Sequence, residues 1–233
     1  MDNPAQKNDQ SLKVHAIFTR IAFTYDRMNR LMTAGFDRAW RQEIIRLANL
    51  KPDMQVLDLG TGTGDLARLV LNKVPGVSIT AADFTLAMML EGRKSGNLPF
   101  VSADALSAPS ADRSFDVVMS GFLLRNTADL DQAIKEQHRL LKPGGQVVVL
   151  DTTRPVRNPL TPFIWLHMHL IIPALGWLVS GDRKAYIYLS DSSEHFLSAE
   201  ELAERMASAG FVEVGFKRRM AGTIAIHWGR KTS

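Results

Sequence analysis

The chain has 233 residues, of which 45% are hydrophobic, which is enough to bury the core of one α/β domain with an appendage. It contains no cysteine, which excludes disulfides, cysteine–zinc sites and thiol nucleophiles and fits a reducing compartment. The formal net charge is +4 without a long basic block, so we expect solvated basic residues or weak attraction to an anionic membrane, and no nucleic-acid partner.

The N-terminal part of the chain predicts a helical cap. No charged-then-apolar secretion signal opens the sequence, so we expect a cytoplasmic location. Met1–Gln10 is polar and predicts an unstructured start. In Lys13–Asn49, apolar residues recur at helical spacing and predict two or three helices. We therefore expect a cap over residues 1–49 and a second domain over residues 50–233.

Strands and helices alternate after residue 50. The predicted strands are Gln55–Leu59, Val77–Ala82, Pro99–Ala103, Phe115–Gly121 and Gln146–Thr152, and the predicted helices are Asp65–Asn72, Thr85–Arg93 and Asp129–Leu141. The segment Lys142–Gly145, with the sequence KPGG, is typical of a helix end. The alternation predicts a doubly wound parallel sheet with ligands at the carboxyl ends of its strands.

The C-terminal part of the chain has a different pattern. Ser198 followed by Glu201 predicts a capping box at the start of a helix, and Gly210 predicts its end. Phe211–Arg218 and Thr223–Trp228 then read as two consecutive strands. We expect an antiparallel pair appended to the parallel sheet.

An apolar insertion over residues 155–197 separates these two parts. Its stretch Leu160–Ser180 is almost entirely apolar, carries no formal charge and is long enough to span a membrane. Pro173, Gly176 and two histidines weigh against a span, and a span would also separate the last two strands from their sheet. The alternatives are a helix buried in the core and an apolar lid that contacts a membrane surface.

A glycine-rich segment follows the first predicted strand. The sequence DLGTGTGD over Asp58–Asp65 places glycines at every second position and an acid at the helix start. The dinucleotide fingerprint needs a different spacing, and a diphosphate would meet the Asp65 carboxylate. The segment resembles the first motif of class I S-adenosylmethionine-dependent methyltransferases. We expect contacts to a phosphate-free nucleoside from Gly60, Thr61, Gly62 and Thr63.

The ends of the next three strands offer further ligand contacts. Asp83 can accept hydrogen bonds from both ribose hydroxyls, although an acid there can also cap a helix. Asp104 and Ala105 can meet an adenine amino group, with a simple turn as the alternative. Ser120 and Gly121 allow the backbone to approach a ligand closely.

Several segments resemble one family, the ubiquinone/menaquinone biosynthesis C-methyltransferases. Tyr25–Trp40 is similar to its Y-D-x-M-N-x-x-x-S-x-G-x-H-R-x-W signature, and Gly121–Asn126 to its S-F-G-x-R-N segment. Arg139–Gly145 and Ala221–His227 match two further segments, of which the K-P-G-G element is the least specific. The resemblance covers Val14–Lys231, which is nearly the whole chain.

The resemblance implies a fold, a cofactor and a substrate class. The fold would be Rossmann-like, with a mostly parallel seven-stranded sheet and a C-terminal antiparallel hairpin. The cofactor would be S-adenosylmethionine, without a metal, and the reaction would methylate a ring carbon of a prenylated quinol. The apolar insertion would then cover the prenyl tail, with Trp165 as a substrate contact, and the enzyme would touch the inner face of the membrane as a peripheral protein.

The resemblance also implies roles for the residues of the R-N segment. Arg125 would stabilise a phenolate, and Asn126 would orient a water or hydroxyl. The alternative is structural, with an ion pair from Arg125 to Asp129 and Asn126 as a helix cap. Tyr25 would close the cap over the site beside the substrate.

Two departures from the family pattern bear on the substrate. Asp37 replaces a histidine, which places an anion where the family has a neutral or cationic side chain. Asp151-Thr152-Thr153 replaces the family's E-F-S. These departures leave open a methyltransferase for another apolar small molecule, or a cofactor-binding protein without catalysis.

Overall fold

The computed structural model describes residues 4–154 and 159–233, with side chains from residue 9 onward in the first stretch. Within these stretches the chain forms one seven-stranded sheet of order β3-β2-β1-β4-β5-β7-β6. Its strands are β1 Gln55–Leu59, β2 Ser78–Asp83, β3 Phe100–Ser102, β4 Phe115–Gly121, β5 Leu141–Thr152, β6 Phe211–Arg219 and β7 Ile224–Lys231. The first five are parallel, and β7 is antiparallel to both β5 and β6. The predicted fold is confirmed.

The helices are α1 Pro4–Ile21, α2 Tyr25–Met32, α3 Asp37–Ala48, α4 Asp65–Lys73, α5 Leu86–Arg93, α6 Leu130–Leu140, α7 Thr161–Leu166, α8 Ile172–Ser180, α9 Arg183–Glu194 and α10 Ala199–Ser208. A π-helical turn over His167–Ile171 joins α7 to α8, so Thr161–Ser180 is one continuous helical segment. We call it the apolar helix.

The core lies on both faces of the sheet because successive side chains of a strand point to opposite faces. On β4, Val117 and Met119 pack on one face with side chains of α3 and α4. Val118 packs on the other face with side chains of α6 and α10. The near-continuous apolar runs of the central strands are typical of a parallel sheet buried on both sides.

A third core cluster joins the cap to the insertion. Ile21 and Met28 come from the N-terminal helices, and Tyr186 and Leu189 come from α9. Gly176 of α8 lies directly against the Tyr186 ring, so the two helices approach closely there. The cap and the insertion therefore share a core.

The expectation of an unstructured Met1–Gln10 is wrong for the residues that the structure describes. Helix α1 begins at Pro4, a residue whose fixed φ suits the first helical position. The segment 1–3 lies outside the described residues, as do residues 155–158 at the start of the predicted insertion.

The structure forms the predicted start of one helix, but it differs from the predicted end of another. The capping box of Ser198 and Glu201 is present, with both hydrogen bonds formed. At the other helix, α6 ends at Leu140 and β5 begins at Leu141, so Lys142–Gly145 lies inside the strand. Gly144 turns the backbone there with a φ of +73°.

The apolar helix is exposed. By length and composition it could cross a membrane, and only 11% of its most apolar window is buried in the protein. The alternative of a helix buried in the core is therefore wrong. Strands β5 and β7 pair with each other in the sheet, although the insertion lies between them in the sequence. A single membrane crossing by the apolar helix would therefore place parts of one sheet in two compartments.

We expect His227 to make the fold sensitive to acid. It is buried on β7, its Nε2 lies 2.9 Å from the Ala199 carbonyl oxygen, and burial lowers its pKa to about 4. Because this pKa lies below the unfolded value, the neutral ring stabilises the fold at pH 7, and this stability is lost as the pH falls between about 6.5 and 4.

Between pH 7.5 and 5 this loss should amount to about 2 kcal/mol. Denaturant unfolding of the wild type and His227→Gln at both pH values measures it. The variant should lose less stability than the wild type. An equal loss in both proteins would show that other groups govern the acid sensitivity.

Candidate functional site

The glycine loop between β1 and α4 is held by a buried carboxylate. Gly60, Gly62 and Gly64 have φ values of +71°, +59° and +90°, which side chains with a Cβ rarely adopt. The Asp58 carboxylate accepts a hydrogen bond of 2.6 Å from the Thr61 hydroxyl, and burial raises the pKa of Asp58 to about 6. The loop is therefore shaped before any ligand binds.

Asp83 ties the loop to the end of β2. Its two carboxylate oxygens accept hydrogen bonds of 2.7 Å from the Gly62 and Thr85 backbone N–H groups. Burial raises the pKa of Asp83. Thr85, not Asp83, occupies the N-cap position of α5, and the Asp83 carboxylate lies beside the loop.

The loop opens into a cavity of about 110 Å³, which we call the glycine-loop cavity. Of the predicted cofactor residues, those lining it are Gly60, Gly62, Asp83, Asp104, Ala105 and Gly121. A smaller cavity of about 30 Å³ adjoins it and is lined by Thr61 and Thr63. Ser120 is fully buried beneath Gly121 and lines neither cavity.

Two side chains that the sequence did not single out, His15 and Phe84, line the glycine-loop cavity. His15 of α1 packs edge-on against Phe84, with 5.4 Å between ring centroids, and both rings line this cavity. His15 lies in Lys13–Asn49, which the sequence predicted to be helical, but helical spacing does not show which side of the helix meets a cavity.

A second, larger cavity of about 300 Å³ lies under the apolar helix, and we call it the apolar cavity. Phe163, Ile164, Met168 and Ile172 of the apolar helix line it. Trp165 does not: it is 54% exposed and stacks on His169 with 4.7 Å between centroids. The predicted substrate contact at Trp165 thus lies on the outer face of the helix.

Phe122 lines both cavities and the small one beside them. Its φ of +61° is unusual for a bulky residue and is held by a hydrogen bond of 2.7 Å from its N–H to the Leu150 carbonyl. The sequence offers no signal for this conformation. One strained residue therefore forms part of the wall of all three cavities.

The two residues of the R-N segment point to different cavities. Arg125 lines the apolar cavity, and its Nη1 donates to Asp151 at 2.8 Å. Asn126 lines the glycine-loop cavity, and its Nδ2 donates to the Phe122 carbonyl at 2.9 Å. Helix α6 is capped by Asp129, which corrects the alternative of Asn126 as a cap.

Asp151 is fully buried at the end of β5. Besides Arg125 Nη1, its carboxylate accepts the backbone N–H groups of Thr152 at 2.8 Å and of Arg125 at 3.3 Å. Burial raises the pKa of Asp151, and the guanidinium opposes that shift. Asp151 replaces the glutamate of the family segment, and this shorter acid forms the ion pair with Arg125.

Tyr25 and Asp26 of the cap lie against the glycine loop and its cavity. Tyr25 lines the glycine-loop cavity, and burial raises its pKa. Asp26 accepts a hydrogen bond of 2.7 Å from the Thr63 hydroxyl. Asp37 lines none of the three cavities, because it is buried in an ion pair with Arg41 and accepts a hydrogen bond from the Thr33 hydroxyl.

The two histidines of the apolar helix have separate partners. His167 Nε2 lies 3.0 Å from the Met32 carbonyl oxygen, and His169 Nε2 lies 3.3 Å from Glu194. Within residues 4–154 and 159–233, no three His, Asp or Glu side chains are grouped to hold a metal ion.

The ubiE/COQ5 methyltransferase family model matches residues 5–231. The chain belongs to this family. It is 43% identical over 221 residues to the ubiquinone/menaquinone biosynthesis C-methyltransferase UbiE of Desulfotalea psychrophila, covering 94% of this chain and 90% of that one. It is 38% identical over 218 residues to the demethylmenaquinone methyltransferase of Thermus thermophilus, covering 91% and 99%. The family resemblance in the sequence is confirmed.

A solved structure gives the same result for the fold. A SAM-dependent methyltransferase from Thermotoga maritima superposes with a TM-score of 0.66 at 22% identity, covering 94% of this chain and 100% of that one. At this identity the likeness shows the fold alone. With the family match, the chain is an S-adenosylmethionine-dependent methyltransferase, as its glycine loop predicted.

Gly121 offers a test of the glycine-loop cavity. A Cβ built on it would meet nothing within 4 Å, and its φ is not left-handed, so alanine fits the protein without ligand. A cofactor packed against this glycine would collide with that methyl group. For Gly121→Ala we expect an unchanged unfolding temperature without ligand and about tenfold weaker binding of S-adenosylhomocysteine by calorimetry.

Wild-type affinity in Gly121→Ala would place the cofactor elsewhere. A lower unfolding temperature without ligand would show that the glycine is needed for folding instead.

Proposed function

We propose that this enzyme transfers the methyl group of S-adenosylmethionine to a ring carbon of a prenylated quinol. The observation that carries the proposal is that Phe122 lines both the cavity built by the glycine loop and the apolar cavity, whose described lining includes the guanidinium of Arg125. The names of the two relatives, which refer to ubiquinone, menaquinone and demethylmenaquinone, support this substrate class.

The glycine-loop cavity would hold the cofactor. Asp83 would accept the ribose hydroxyls, because it lines this cavity and a carboxylate offers more acceptor positions than its bonds from Gly62 and Thr85 occupy. Asp104 would meet the adenine amino group, since only its Oδ1 is engaged, by the Leu106 N–H at 2.9 Å. Gly60 and Gly121 would allow close approach, and Thr63 would join the cap to the loop.

The cofactor supplies an electrophilic methyl group, and the protein must make the acceptor ring electron-rich. Arg125 would stabilise the phenolate that forms when a quinol hydroxyl loses its proton. Asn126 would orient a water or hydroxyl with its Oδ1, which the Tyr188 hydroxyl reaches at 3.5 Å. Alignment of the ring carbon with the methyl group contributes the rest.

The remaining predicted substrate residues would act from the edges of the site. Tyr25 would close the cap beside the ring, since it lines the glycine-loop cavity. Asp37 would act through Arg41, which lines the small cavity beneath the loop. Trp165 would meet the membrane and not the ring, because it lies on the outer face of the apolar helix.

A membrane surface is the partner that fits the outer face of the apolar helix. The exposed fractions of Leu170, Trp177 and Leu178 are 53%, 65% and 75%, and none of the three lines the apolar cavity. Such a continuous apolar surface is rare on monomeric soluble proteins. Arg183 and Lys184 follow the helix on the exposed surface and would attract anionic headgroups. The helix would lie flat on the cytoplasmic face of the membrane, above the apolar cavity.

Transfer of a labelled methyl group tests the function. Purified enzyme should methylate demethylmenaquinol or 2-polyprenyl-6-methoxy-benzoquinol, and Arg125→Lys should lower kcat roughly 10²-fold, because lysine cannot hold both Asp151 and a phenolate. Labelling of a lipid extract but of neither quinol would favour another apolar acceptor, the rival suggested by the departures at Asp37 and Asp151. No transfer to any acceptor, with cofactor still bound, would indicate a catalytically silent protein.

The membrane proposal has its own test. Trp177→Glu with Leu178→Glu should lower binding to vesicles of anionic phospholipid about tenfold or more and raise the KM of a long-tailed quinol. Leu90→Glu, at a half-exposed leucine of α5, is the matched control and should bind like the wild type. Equal binding of all three proteins would contradict this placement.

A further inference from the structure

Three residues that line the apolar cavity each have a buried side-chain polar atom without a hydrogen-bond partner among the described residues. These atoms are Arg125 Nε, Thr152 Oγ1 and Asn29 Nδ2. Leaving such an atom unpaired costs free energy, so most native side chains avoid it. The other unpartnered atoms in the described part of the chain belong to residues that line none of the three cavities.

Thr152 differs from the other hydroxyl residues of this wall. Each of the others donates to a backbone carbonyl at 2.7 to 3.2 Å, namely Thr33, Thr153, Ser190, Ser193 and Thr223. Thr152 donates only its backbone N–H, to Asp151. Its side chain is thus the one hydroxyl that the described wall leaves without a partner.

The described residues that line the apolar cavity include hydrogen-bond donors but neither Asp nor Glu. Asp151 behind them is already engaged by Arg125 and Thr152. A ligand that satisfies this corner must bring lone pairs. An oxygen on an otherwise apolar ring provides them, while the rest of the cavity accepts hydrocarbon.

We propose that Thr152, together with Arg125 and Asn29, binds an oxygen of the acceptor ring and that Thr152 determines specificity for oxygenated rings. The proposal rests on the proposed function. Thr152 stands where the family segment E-F-S has phenylalanine, so this chain has a hydroxyl in place of a phenyl ring at that point. A site built to bond a ring oxygen discriminates strongly against rings that lack it.

Substitutions at Thr152 separate the effect of its hydroxyl group from the effect of its side-chain shape. Thr152→Val keeps the shape and removes the hydroxyl, and it should raise the KM of the quinol about fivefold, the worth of one neutral hydrogen bond. Thr152→Ser keeps the hydroxyl and should stay near the wild type. Thr223→Val removes a satisfied hydroxyl from the same wall and is the matched control. Binding of S-adenosylhomocysteine should not change in any variant.

A binding assay makes the test independent of turnover. The wild type should prefer a short-tailed prenylated naphthoquinone over the prenylated naphthalene that lacks both oxygens, and Thr152→Val should reduce this preference about fivefold. Without ligand, Thr152→Val should unfold at the wild-type temperature or above, because it removes an unpaired polar group.

The outcomes distinguish this inference from the proposed function. An unchanged preference in Thr152→Val, or a lower unfolding temperature in that variant, would overturn the role of Thr152. If the wild type methylates no quinol, the proposed function fails, while the binding preference still decides whether this corner recognises ring oxygens.

Discussion

The buried ion pair of Arg125 and Asp151 is the interaction on which both cavities depend. It joins the segment after β4 to the end of β5, and this segment contains Phe122 and Asn126. Removing one partner of such a pair would leave an uncompensated charge in the interior, which is strongly destabilising. Glutamate and aspartate both preserve this charge, which explains why the chain tolerates its departure from the family pattern at Asp151.

Around this pair, the protein separates polar from apolar ligand chemistry. The glycine-loop cavity is bounded by carboxylates at the strand ends, such as Asp83 and Asp104, whereas the apolar cavity contains hydrocarbon and hydrogen-bond donors. Phe122 lies at the boundary in a strained conformation held by the neighbouring strand. In the proposed function, the methyl group would pass from one compartment to the other beside this residue.

The sequence predicted the sheet and the strand-end residues because topology alone brings the carboxyl ends of parallel strands together. Asp83, Asp104 and Gly121 therefore met at one cavity as expected. The sequence did not predict those features of the site that depend on the direction of a side chain or on a partner far along the chain. Helical spacing could not tell which face Trp165 would occupy, and no local pattern pairs Arg125 with Asp151, 26 residues away.

A crystal structure with S-adenosylhomocysteine and a short-tailed quinone tests the central claim, that two ligands meet at Phe122. The thioether should lie against Gly121, and a quinone oxygen should lie within about 3 Å of Thr152 or Arg125. The tail should run beneath the apolar helix, past Met168. A quinone bound outside the apolar cavity, or a cofactor bound away from the glycine loop, would contradict the account.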